Sequence, residues 1–130
     1  MKVMVVDDCQ TTRKILEFHL KSKGFDVVNA ENGLDAIEKL STETINLILT
    51  DLNMPYMDGL ELVKTVKSDI NLSQIPILMV TTEADPEEKE KALSAGADGY
   101  MIKPVTADDI YKNIKRIMKE IFSGQGGKDV

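Results

Sequence analysis

Short unbroken runs of strand-forming apolar residues alternate along this chain with longer stretches in which apolar residues recur at helical spacing. Val3, Met4, Val5 and Val6 make the first run, and their β-branched content predicts a buried strand over 3–6. Residues 11–23 carry Ile15, Leu16, Phe18 and Leu20 on a helical repeat, with Gly24 placed to end the helix as a left-handed residue. A weaker strand is predicted over 25–29. A helix follows over 33–40 with Leu34, Ile37 and Leu40 on one stripe, then a third strand over 45–50. Segment 51–59 is rich in turn formers and leads into a helix over 60–68. Pro76 opens a fourth strand ending at Val80. Asp85, Pro86, Glu87 and Glu88 then supply a capping carboxylate, a first-turn proline and first-turn acids. That helix runs to Gly96, and a fifth strand covers 98–102. The last helix, 107–122, has the clearest stripe: Ile110, Ile114, Ile117, Met118 and Ile121.

Five strand–helix repeats predict an α/β fold, a parallel five-stranded sheet with helices on both faces in a three-layer (βα)5 sandwich. Right-handed crossovers leave few topologies. The second strand ends at Asn29 and Ala30 with nothing reactive, which places it at an edge. The flavodoxin-like order 2-1-3-4-5 satisfies this. Residues 1–122 are read as one domain, and 123–130, without an apolar stripe, as a flexible tail.

Strand ends carry the chemistry. Asp7 and Asp8, Asp51, Thr81 and Lys103 each directly follow an apolar run. In an open parallel sheet the C-terminal strand ends share one edge, so these residues are expected to meet there. Two like charges 4 Å apart repel by about 4 kcal/mol at an effective dielectric near 20. A hard divalent ion relieves that repulsion, and an all-oxygen donor set suits Mg²⁺. Metal, ammonium and hydroxyl together suit phosphoryl transfer, which depends on positioning and charge stabilisation. With the third strand beside the first, Asp51 is the central carboxylate and the expected nucleophile. Asp7 and Asp8 are better placed to hold metal, Lys103 to pair with a phosphoryl oxygen and Thr81 to hydrogen-bond another.

Composition narrows the setting. The chain has 130 residues, enough for one domain burying roughly two-thirds of its unfolded surface. No apolar run approaches the roughly 20 residues of a membrane span, and Met1 leads at once into a strand, so neither a membrane anchor nor a signal peptide is expected. A single cysteine fits a reducing cytoplasm. The formal charge of −6 argues against general nucleic-acid binding.

The motifs Val5-Val6-Asp7-Asp8, Asp51 to Gly59, Val80-Thr81-Thr82, Ala95 to Tyr100 and Lys103-Pro104 resemble the receiver domain of bacterial two-component response regulators, over about residues 2–121. The resemblance implies a stand-alone receiver of the chemotaxis-regulator type, with Asp51 accepting phosphate from a sensor histidine kinase. It implies Mg²⁺ held by Asp8 and Asp51, by the Asn53 backbone carbonyl and by Asp7 through water. Thr81 and Lys103 would contact the phosphoryl group, Tyr100 would change rotamer with Thr81, and Asn53 and Glu83 would tune hydrolysis. A cis bond is expected between Lys103 and Pro104. The output would be partner binding through helix 4, strand 5 and helix 5, to a component such as a flagellar motor switch protein. The alternative is phosphotransfer to a histidine phosphotransferase. A cytoplasmic monomer is expected, with dimerisation on activation left open.

Plainer readings stand beside these. Asp7-Asp8 alone would be a solvated turn, and Thr81 and Lys103 gain weight only from the joint pattern. Tyr100 serves either as strand packing or as a switch. His19 lies within a helix and is read as structural, Cys9 as a small residue beside the metal loop, and 87–91 as a solvated helix face. An aspartyl phosphatase would need a second acid where Cys9 stands. A flavin or nucleotide module would meet repulsion from Asp7 and Asp8.

Overall fold

A computed structural model describes the backbone of residues 1–128 and the side chains of residues 1–123. Five strands and five helices alternate: β1 (Lys2–Val6), α1 (Gln10–Ser22), β2 (Asp26–Ala30), α2 (Gly33–Leu40), β3 (Leu47–Thr50), α3 (Gly59–Ser68), β4 (Ile77–Thr81), α4 (Pro86–Ala95), β5 (Gly99–Ile102) and α5 (Ala107–Lys128). All neighbours pair in parallel, in the order β2-β1-β3-β4-β5. The expected sandwich and strand order are therefore what the chain adopts.

Side chains alternate across the sheet, so each central strand feeds two cores. Met4, Val6, Ile48, Ile77 and Met79 face α2, α3 and α4, packing on Leu40, Leu62, Val63 and Val66. Val3, Val5, Leu47, Leu49, Leu78 and Val80 face α1 and α5, packing on Leu16, Leu20, Ile110, Ile114 and Ile117. This two-sided burial is why β1, β3 and β4 read as continuous apolar runs, whereas the edge strand β2 is only partly covered.

Capping fixes the helix ends as the sequence suggested. Asp85 accepts from the Glu87 N–H, Pro86 opens α4, and Gly96 ends it in the left-handed region at φ 119°. Asp58 caps α3 through the Glu61 N–H, and Asn32 caps α2 through the Asp35 N–H. Some positions differ from the sequence reading. Ile15, Phe18 and Leu34 are exposed, because the sheet covers only one side of each helix. Backbone of α5 continues past Phe122 to Lys128, each added residue needing only one further hydrogen bond on a helix already formed. The remainder of the tail expected over 123–130 lies outside the described residues.

Among the described residues no helix is long and apolar enough to cross a membrane.

Candidate functional site

Register decides which strand ends meet. Val6 pairs with Thr50, and the Asp51 N–H donates to the Val6 carbonyl at 2.9 Å, so Asp7 and Asp51 leave neighbouring strands side by side. Asp7, Asp8 and Asp51 each offer a carboxylate oxygen within 4.8 Å of the others. On the far side Thr81 pairs with Ile102, and the Lys103 N–H donates to the Thr81 carbonyl at 2.8 Å. That places Lys103 over the same edge. Its Nζ lies 2.7 Å from Asp7 Oδ2 and 3.5 Å from Asp51 Oδ2. The strand-end carboxylates and the ammonium thus converge from positions almost a hundred residues apart.

Asp7 is 1% exposed, and a carboxylate so deeply placed requires partners. It has them: Oδ2 accepts from Lys103, and Oδ1 accepts from the Cys9 N–H at 2.9 Å. Asp8 is exposed, so its carboxylate reaches the cluster from the solvent side. The Asp51 carboxylate is oriented by the Leu52 N–H, which donates to Oδ1 at 2.7 Å. Asn53 lies exposed on the loop two residues beyond Asp51.

Thr81 is fully buried at the end of β4. Its Oγ1 accepts from the Glu83 N–H at 3.2 Å, and the Glu83 carbonyl accepts from the Tyr100 hydroxyl at 2.7 Å. Both backbone groups of Glu83 are therefore held, one by each of the two residues read as switch candidates. Burial pushes the Tyr100 phenol up from its ordinary value, and the negative charges of Glu83, Glu88, Asp51 and Asp85 push the same way. The Lys103–Pro104 bond is cis, as expected.

Residues around the carboxylate and ammonium cluster support the site. Gly59 has no room for a side chain: an added Cβ would lie 2.2 Å from the Asp51 carbonyl oxygen and 2.9 Å from Leu52 Cα. The start of α3 is thereby pressed against the backbone of Asp51. Thr50 Oγ1 donates to the Asp51 carbonyl at 2.9 Å, and Arg13 donates to the Asp7 carbonyl. Thr50 had a signal, its position next to Asp51; Arg13, on a helix surface, had none. Hydrogen bonds to Thr12 pull the exposed Cys9 thiol below its usual value. His19 lies half-exposed on α1 with Phe18 edge-on to its ring, away from the strand ends.

Three carboxylates with one ammonium among them leave an excess of negative charge, and all the clustered donors are oxygens. Such a set fits a small hard cation.

Known proteins match this chain over most of its length. The family described as the response regulator receiver domain matches residues 3–115. The chemotaxis protein CheY1 of Helicobacter pylori is 42% identical over 120 residues, spanning 91% of this chain and 97% of that protein. The chemotaxis protein CheY-3 of Vibrio cholerae is 36% identical over 122 residues, spanning 93% and 94%. Among solved structures, the chemotaxis protein CheY4 of Vibrio cholerae superposes with a TM-score of 0.84 at 35% identity, covering 89% of this chain and 97% of that one. A family match over 3–115, on a chain with this strand order and with chemotaxis regulators among its relatives, shows that the chain belongs to the response regulator receiver domains.

Proposed function

We propose that this receiver is a phosphorylation-controlled binding switch in which Asp51 accepts a phosphoryl group from the phosphohistidine of a sensor histidine kinase. The observation that carries the reading is the convergence of Asp51, Asp7, Asp8 and Lys103 at one sheet edge. Asp8 and Asp51 would hold Mg²⁺ by their carboxylates, Asn53 by its backbone carbonyl and Asp7 through water. When bound, the ion neutralises charge on the phosphoryl oxygens.

An Asp51 carboxylate oxygen attacks phosphorus as the phosphorus–nitrogen bond breaks. The electron pair leaves on the imidazole, which takes a proton from water. Because the Leu52 N–H holds Oδ1, the carboxylate meets phosphorus in a set orientation. The product is an aspartyl phosphate that water slowly hydrolyses, with Asn53 and Glu83 beside it to set the rate.

The added charge competes with Asp7 for Lys103, which now lies nearer Asp7 than Asp51. It also attracts the Thr81 hydroxyl, at the expense of the Glu83 N–H bond. Tyr100 holds the carbonyl of the same residue, so the loop before α4 feels both changes. A swing from almost wholly inactive to almost wholly active needs about 5.5 kcal/mol. One hydrogen bond contributes only about 1 kcal/mol, so the Lys103 charge and the loop must act together. The surface altered is α4, β5 and the side of α5 that adjoins them, which would bind an output protein such as a flagellar motor switch component.

Incubation with acetyl phosphate and Mg²⁺ followed by intact-mass measurement tests this. One phosphate adduct is expected on the wild type and none on Asp51→Asn; equal labelling of the two removes Asp51 from the role.

A further inference from the structure

One groove in the molecule lies away from the carboxylate cluster. It lies at the opposite end of the sheet, about 770 Å³, where Met1 and Phe25 meet the exposed side of α5. The strands β1 and β2 begin there: the Met1 carbonyl accepts from the Asp26 N–H at 3.0 Å. The floor is apolar, made by Phe25, Tyr111, Ile114 and Met118, with the Phe25 and Tyr111 rings 6.2 Å apart. Its rim is cationic, made by Lys112, Lys115, Arg116 and Lys119. Only Arg116 has a carboxylate partner among the described residues, Glu120 at 3.2 Å. Lys115 Nζ instead sits 5.2 Å from the centre of the Tyr111 ring.

We propose that this groove docks a short amphipathic helix from another protein, with apolar residues against Phe25 and Met118 and carboxylates against the three lysines. Charge complementarity selects the occupant. Four cations rim the groove in a chain whose formal charge is −6, so the local field runs against that of the whole molecule. A nucleic acid or anionic membrane would feel that overall charge, whereas a short acidic segment meets only the rim. From Tyr111 to Glu120 the α5 edge runs about 13 Å, enough for two turns of a helix lying alongside it. A second copy of this chain is poorly suited to dock through α4, its most acid-rich helix, which has no large apolar residue but the exposed Leu93.

The lining includes neither Thr81, Glu83, Tyr100 nor Lys103, and the adjoining part of α5 is fixed to the sheet by Ile114 and Ile117. Binding here is therefore independent of phosphate on Asp51, a standing attachment separate from the switch.

Fluorescence anisotropy with a labelled helix-forming peptide, leucines on one stripe and glutamates elsewhere, tests the site on the full chain. Expected is saturable binding that weakens with added salt, is unchanged by acetyl phosphate, and falls at least about tenfold in Lys112→Glu/Lys119→Glu. Amide shifts on titration should centre on Phe25, Tyr111, Lys115 and Met118. The double variant should still label on Asp51 with acetyl phosphate, which shows that it is folded. Absence of binding, equal binding of a peptide with lysines in place of glutamates, or shifts centred on α4 overturns the proposal. So does preference for phosphatidylglycerol vesicles over the peptide, or a dimer of this chain that the double variant abolishes.

Discussion

The helices α4 and α5 lie on opposite faces of the sheet beside β5, and they are attached to it very differently. α5 drives Ile110, Ile114 and Ile117 into the core, each almost fully buried. Burying one such side chain is worth about 1.5–3 kcal/mol. α4 buries Ala92 alone, and its one large apolar residue, Leu93, is 41% exposed. Yet α4 is well made locally, with an Asp85 cap, Pro86 in its first turn and Gly96 at its end. Helix formation and helix attachment are thus separable: caps make α4 a helix, while its weak stripe buries little apolar surface against the sheet. The loop that would move it begins with Glu83, held by Thr81 and Tyr100.

The sharpest way to break that comparison is to shorten one apolar residue on each helix. Ile114→Ala should lower the unfolding free energy in urea by about 2–5 kcal/mol, while Leu93→Ala should change it by no more than about 0.5 kcal/mol. Equal losses would show that α4 is anchored after all.

Lys103→Ala comes next in size. It strips the buried Asp7 carboxylate of its cation, and a loss of about 1–3 kcal/mol is expected in chelator, partly restored by Mg²⁺. After phosphorylation, hydrogen exchange in α4 should no longer change. A wild-type exchange response in this variant removes Lys103 from the link.

Tyr100→Phe deletes the hydroxyl that holds the Glu83 carbonyl, at a cost of about 0.5–1.5 kcal/mol. Faster exchange should be confined to the loop before α4. Spread into α5 would contradict the separation of the two helices.

The smallest effect is a pH dependence. The Tyr100 phenol is raised in the folded protein by burial and then by neighbouring acids, so the folded state prefers the protonated form. Its stabilisation is complete below the ordinary phenol value near 10 and is lost as pH climbs through the raised value. The tyrosinate absorbance missing from Tyr100→Phe should titrate above the ordinary value; titration at or below it would place Tyr100 in water.

Much of this was legible without coordinates, for reasons particular to each position. The β-branched run before Asp7 and Asp8, and a second run before Asp51, marked strand ends, because only strands covered on both faces are apolar throughout. Asp85-Pro86 and Gly24 announced helix ends, because capping is local chemistry. Phe18 shares the helical repeat of Leu16 and Leu20 yet is 73% exposed. Periodicity states which residues share a helix face, but not how wide a strip of it the sheet will cover. The Asp51 motif ends at Gly59, but it states neither that Gly59 presses on the Asp51 backbone nor that Asp7 is the nearer partner of Lys103.

The sequence by itself determined the alternation of elements, their ends and the set of acids, hydroxyl and ammonium left at the strand termini, since each depends on neighbours only a few residues away. The tertiary structure alone decided which carboxylate holds Lys103, that Glu83 is gripped from both sides, and that α5 flanks a cationic groove. Those features depend on register and packing between distant segments, whose separations of a few ångströms no local pattern encodes.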